Sequence, residues 1–260
     1  REREAMNLII NADDLGVTAG VNQAILLCMR RGIVSSTSLM VNQDGTAAAI
    51  QYLRSGLIPR TGVHLCISAG RPLLPPGRIL SLVDEHGFFH RPSRYAELEI
   101  NPLEIEREFE AQIEKVLSGG VTVTHLDTHH HIQRHPVVLE ALITVAGRYG
   151  LPVRHLDPVM RDRIRERGVA TPDHFCGEWI GRAASRENLC QMILQARENG
   201  HRLVELMTHP GFADAALQTR SSYVGERQKE LAVLCAPETR DWLASEGVTL
   251  SNYSACRTRQ

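Results

Sequence analysis

The stretch Leu8-Ile9-Ile10-Asn11-Ala12-Asp13-Asp14-Leu15-Gly16-Val17-Thr18 reads as a strand, an acidic turn and a helix cap in immediate succession. An unbroken apolar run such as Leu8–Ile10 marks a strand covered on both faces, as in a parallel sheet. The run breaks at Asn11. Thr18 then caps a helix that carries Val21, Ala24, Ile25 and Cys28 on one face and closes at Gly32.

The same unit recurs along the chain. Further strands are predicted at 34–41, 62–66, 121–127, 152–154, 202–207 and 248–250. Helices are predicted at 46–55, from the Asn101-Pro102 cap to Gly119, and at 136–149, 161–167, 185–199, 222–235 and 239–245. Residues 169–180 fit neither period. Between Ser68 and Ile100 the period is also lost, with Pro72, Pro75, Pro76 and Pro92 interspersed, and a long irregular segment in a compact domain points to a functional loop. Strands alternating with helices imply a mainly parallel sheet. Seven or eight such units without a Gly-x-Gly-x-x-Gly turn favour a distorted (β/α) barrel over a dinucleotide-binding sheet. The expected organisation is a single catalytic barrel over residues 6–254, with short tails at 1–5 and 255–260.

Composition narrows the class of function. A formal net charge of −1 provides no field to recruit nucleic acid or an anionic membrane surface. No apolar run is long enough for a membrane span. The charged first residues do not read as a secretory leader. Six cysteines without a C-x-x-C pair read as buried thiols of a reducing compartment, so a cytoplasmic location is expected. Oligomeric state is left open.

In parallel α/β folds, chemistry collects at the carboxyl ends of the strands. Asp13 and Asp14 fall there, as do His64, the run His125-Leu126-Asp127-Thr128-His129-His130-His131, and His209. Each has an ordinary reading in isolation. Asp is common before helices, a lone strand histidine is usually an interior group with a partner, and His209-Pro210-Gly211 makes a turn. Together they can form a site. Neutral imidazole is the commonest metal ligand, and a nearby carboxylate usually orients it. One aspartate can ligate while its neighbour faces the substrate, and His209 has the chemistry of a general acid.

Asn11-Ala12-Asp13-Asp14-Leu15-Gly16, Gly62-Val63-His64-Leu65, Thr124 to His131, and Glu205 to Gly211 resemble the motifs of the YdjC family of carbohydrate deacetylases, in the same order and over nearly the whole chain. The resemblance implies a distorted barrel related to polysaccharide deacetylases and one divalent metal ion, Mg or Zn, with Mn, Co or Ni also suited. It implies Asp14, His64 and His129 as ligands, Asp13 as catalytic base and His209 as catalytic acid. Arg154 is implied to orient Asp13 or substrate, and His131 to face the substrate. The H-x-x-x-H spacing of His125 and His129 offers an alternative ligand pair.

The implied reaction is hydrolysis of the N-acetyl group of an N-acetylated amino sugar, releasing acetate. An Asp-His-His set leaves positions on the ion for water and carbonyl oxygen. A base is needed for the water and an acid for the departing amine, so His209 is expected to hold its proton to neutral pH beside a carboxylate. Competing readings are a metal-dependent barrel isomerase or phosphodiesterase, and a non-catalytic carbohydrate-binding barrel. The first usually needs more carboxylate ligands, and the second has no need of Asp13 and His209.

Overall fold

The structure, a computed structural model, describes residues 5–256. The expected tails at 1–5 and 255–260 therefore lie largely outside the described residues. Seven strands form one sheet among the described residues: β1 (Met6–Leu15), β2 (Ser36–Leu39), β3 (Thr61–Leu65), β4 (Val123–Thr128), β5 (His174–Cys176), β6 (Leu203–Thr208) and β7 (Val248–Ser251). Every pairing is parallel, in the order β4-β3-β2-β1-β6-β5. β7 pairs with the first half of β1, on residues Met6–Ile9, and β2 takes over along the second half. The sheet curls into a distorted barrel without closing by strand pairing between β4 and β5.

Nine helices cover it: α1 (Ala19–Arg31), α2 (Thr46–Arg54), α3 (Pro102–Ser118), α4 (Pro136–Tyr149), α5 (Pro158–Glu166), α6 (Arg186–Glu198), α7 (Ala215–Arg220), α8 (Gly225–Cys235) and α9 (Pro237–Ser245), counted among the described residues. Their starts follow from local chemistry. Thr18, Asn101, Asp157, Ser185 and Asp214 each accept a hydrogen bond from a first-turn amide. The apolar core lies on one face of the sheet, with Leu8, Ile10, Val63, Leu65, Val204 and Leu206 fully buried, while Asn11, Asp13, His64, Asp127 and Glu205 are buried on the other.

Three expectations need correction. β1 does not stop at Asn11 but continues to Leu15, because Asn11 and Asp13 find buried partners inside the barrel: the Asn11 amide donates to Asp13 Oδ1 (2.7 Å) and Ser38 Oγ (3.1 Å). Residues 152–154 form no strand, only a parallel bridge between Val153 and Leu126. The predicted helix 222–235 is preceded by a separate short helix, α7, and begins at Gly225.

The segment 68–100 consists of turns and short 3-10 stretches, and α3 ties it down. Glu108 accepts from the Leu73 and Leu74 amides (2.9 and 3.1 Å), while Gln112 bonds both backbone groups of Cys66 (2.9 and 2.7 Å). Side chains of one helix thus fix the start of a segment with no ladder of its own.

Candidate active site

The strand-end face holds a cavity of about 770 Å³ lined by Asp13, Asp14, His64, His129, His131 and His209, among others. Ala69, Gly70, Phe88 and Pro92 of the irregular segment also line it, so that segment flanks the strand-end face. Two adjacent aspartates reach one site because β1 loses its regular register on β2 between Ala12 and Leu15, and Asp14 adopts φ +69°. A left-handed residue turns its side chain out of strand alternation. His130 (φ +57°) and His131 (φ +52°) are likewise left-handed, in the turn that leaves β4. These three are the described non-glycine residues with positive φ, and such strain gathers where a site over-determines the backbone.

Asp14 Oδ1 lies 3.5 Å from His64 Nε2 and 3.2 Å from His129 Nδ1, and the two nitrogens are 3.2 Å apart. Donor atoms bound about 2.0–2.1 Å from one ion sit about 2.8–3.4 Å from one another, from octahedral to tetrahedral angles. The triangle matches that size. Asp14 Oδ1 is also buried and takes no hydrogen bond of acceptable geometry, so it is an acceptor waiting for a partner other than a protein donor. These residues fit a divalent cation. Asp127 Oδ1 stands 3.0 Å from His64 Nδ1, the usual carboxylate behind a ligating imidazole. Burial disfavours a charged His64, but Asp127, Asp13 and Asp14 outweigh it and raise the ring to about 9.

Asp13, His64 and Asp127 form a second group of closely spaced donors. Its centre is already served by a cation of the protein: Arg154 Nη1 is 2.7 Å from Asp13 Oδ2 and 3.0 Å from Asp127 Oδ2. Arg154 is wholly buried, and its remaining nitrogens donate to Asp13 Oδ1 and Glu205. Its grip on Asp13 is the contact that orienting this carboxylate requires, and Arg154 is not among the residues that line the cavity. Burial pushes the Asp13 carboxyl up, yet the Arg154 charge and hydrogen bonds hold it below its ordinary value.

His209 Nε2 lies 3.9 Å from Asp13 Oδ2. Its ring does not keep its proton to neutral pH as expected: burial, ahead of the opposing pull of Asp13 and Asp14, lowers it to about 4. His131 lines the cavity, edge-on to Phe175, and burial lowers it to about 3. His125 joins neither donor cluster. It is fully buried, and its ring stacks on Tyr253 at 3.7 Å with 3° between planes. A Cβ on Gly62 would fall 2.3 Å from that ring, which explains glycine in the Gly62-Val63-His64-Leu65 strand. His129 is not on the strand with His125 and Asp127, because β4 ends at Thr128 and a 3-10 turn presents the His129 ring.

The sequence reading missed the contribution of α8. Arg227 Nη2 donates to Asp14 Oδ2 (2.6 Å). Glu230 accepts from the His209 amide and from the Tyr223 hydroxyl, and burial raises it to about 7. Arg227, Glu230, Leu231 and Leu234 share one buried helix face, and that in-phase spacing was the available signal.

Comparison with known proteins bears on this arrangement. The sequence model of the YdjC-like protein family matches residues 7–245. A carbohydrate deacetylase of Thermoanaerobacter pseudethanolicus is 37% identical, covering 95% of this chain and 98% of its own. One of Brevibacillus brevis is 32% identical, covering 96% and 99%. A solved Enterococcus faecalis structure, assigned by its name to cellobiose-phosphate cleavage, superposes with a TM-score of 0.91 at 30% identity, covering 97% of this chain and 99% of its own. A family 4 carbohydrate esterase of Streptomyces lividans, solved with acetate, shares the fold with a TM-score of 0.53 at 12% identity, covering 98% of this chain and 97% of its own.

Proposed function

The chain belongs to the YdjC-like family, and we propose that it is a metal-dependent carbohydrate deacetylase that hydrolyses the N-acetyl group of an N-acetylated amino sugar. The observation that supports this most is the Asp14–His64–His129 triangle, with edges of 3.2–3.5 Å and with Asp13 and His209 beside it in one cavity. A divalent cation held by those three residues supplies a Lewis acid for the acetamide carbonyl and makes an adjacent water more acidic.

The chain's own residues carry the protons. Asp13, kept ionised by Arg154, accepts the proton of the attacking water as the water oxygen adds to the carbonyl carbon. Burial holds the His209 ring below its ordinary value, which favours a neutral ring ready to take up a proton. It receives one at Nε2 from Asp13, across a 3.9 Å gap that a water or a small rotation closes. It then delivers that proton to the amide nitrogen as the C–N bond breaks. One proton thus travels from water through Asp13 and His209 to the leaving amine, the water's second proton leaves the new carboxyl group for solvent or the free amine, and acetate and the amino sugar result. His131, on the cavity wall, is placed to contact the sugar.

The test is acetate release from N-acetylglucosamine oligomers by the Zn- or Mg-loaded protein, with ketose and phosphate assayed on matched substrates. Acetate appearing in step with free amine supports the reading. Ketose or phosphate without acetate would replace it with an isomerase or phosphodiesterase.

A further inference from the structure

Two buried arginines hold the adjacent aspartates, and they are wired differently. Arg154 is shared among Asp13, Asp127 and Glu205. Arg227, 5% exposed, makes its carboxylate contact with Asp14 Oδ2 at 2.6 Å. Its Nε donates to the Tyr223 carbonyl (3.0 Å), and its Nη1 is buried with no hydrogen-bond partner among the described residues. The stem is pinned too. Gly211 of the His-Pro-Gly turn donates its amide to the Arg227 carbonyl (3.3 Å), and a Cβ there would lie 3.0 Å from Arg227 Cδ. The turn that presents His209 therefore packs against Arg227, backbone to backbone and glycine to side-chain stem.

Asp14 is split as a result. Oδ1 belongs to the triangle with His64 and His129, and Oδ2 belongs to Arg227. We propose that Arg227 is a positioning and charge-trimming residue for the cation: it confines Asp14 to one ligating oxygen and withdraws part of that oxygen's charge. This rests on the reading of Asp14, His64 and His129 as the metal ligands. The consequence runs against the usual expectation for a buried support. A guanidinium fixed on the far oxygen of a ligand carboxylate repels the cation and takes up electron density the ligand would otherwise donate. Affinity is thereby restrained, and the bound ion keeps more of its charge for polarising a carbonyl. Without Arg227, Asp14 offers both oxygens at full charge, so the ion is held more tightly and polarises less.

The experiment measures Zn affinity of the metal-stripped protein by competition with a chromophoric chelator, beside acetate release. Arg227→Gln should bind Zn at least about tenfold more tightly than the parent, for loss of one positive charge within a few ångströms of the ion. Its kcat for acetate release should fall. Arg227→Lys, which keeps the charge on a single donor, should lie between the two and serves if Arg227→Gln does not fold. Unchanged or weaker Zn binding in a folded variant overturns the proposal and leaves Arg227 an ordinary structural support. Failure of the parent to bind Zn, or full binding by Asp14→Asn, overturns the underlying ligand assignment instead.

Discussion

Arg154 grips Asp13 by both oxygens, Nη1 to Oδ2 and Nη2 to Oδ1 at 2.7 Å each, with no exposed atom of its own. A bidentate, fully desolvated pair fixes the carboxylate plane as well as its charge. The proposed base therefore has one orientation, which leaves it beside both the triangle and His209.

Asp13→Asn should keep Zn in stoichiometric amount and lose deacetylation by about 10²–10⁴-fold, the range for a removed acid–base group. Elemental analysis and initial rates on an N-acetylglucosamine oligomer check both halves. Loss of metal in this variant would make Asp13 a ligand rather than a base.

His129→Ala removes one corner of the triangle at a side chain that is 18% exposed, so the fold should survive while metal and activity fall together. The discriminating control is His125→Ala. If that variant alone sheds the ion with native circular dichroism, the H-x-x-x-H pair is the true ligand set.

His209→Ala should cost less on an activated acetanilide, whose leaving amine needs little protonation, than on an amino sugar. The ratio of the two losses is the readout. Equal losses on both substrates would remove His209 from the proton path and return His-Pro-Gly to ordinary turn chemistry.

Two buried rings away from the donor triangle set an acid limit on stability. Burial lowers His125 to about 4 and His155, which bonds Thr171 at 2.9 Å, to about 3. Both folded values lie below the ordinary 6.5, so the unfolded chain binds these protons first. Their stabilising effect is complete above pH 6.5 and is lost as pH falls toward the folded values. Denaturant unfolding at pH 7.5 and 5.0 should differ by about 2 kcal/mol per ring at most. His155→Gln should flatten that slope, and an unaltered slope would show that His155 does not contribute.

Gly62→Ala should destabilise by about 1–3 kcal/mol, the usual cost of overpacking. The new methyl would meet the His125 ring, which Tyr253 backs from the other side. Thermal melts against His125→Ala/Gly62→Ala are informative, because the double variant relieves the clash. A double variant no better than the sum of its parts would mean the clash is absorbed elsewhere.

Much of this was legible because punctuation and periodicity coincide. Pro136 and Gly150 bracket α4 as predicted, with Gly150 left-handed at φ +64°. Strand-end position singled out Asp13, Asp14, His64, the run from His125 to His131, and His209, and only the family resemblance chose His129 within that run. What escaped notice has a common cause. Asn11 looked like a strand breaker because the partner that satisfies it from the neighbouring strand, Ser38, is 27 residues away in sequence. Arg227 and Glu230, amid Glu226 and Lys229, resembled a solvated helix face although they point inward. The His209 charge was misjudged because the neighbouring carboxylate was counted and the desolvation was not.

The placement of β1 has a consequence for how the site comes apart. It is the one described strand flanked by three others, β2, β6 and β7, so its amides should exchange with solvent only when the whole sheet opens. Asp13 and Asp14 ride on that protected strand. His129, by contrast, belongs to a left-handed turn leaving β4, at the rim of the sheet. Warming should loosen the rim first, so deuterium uptake and metal release at residues 129–134 should precede global unfolding. The site would then fail by losing an imidazole from a barrel that is otherwise intact.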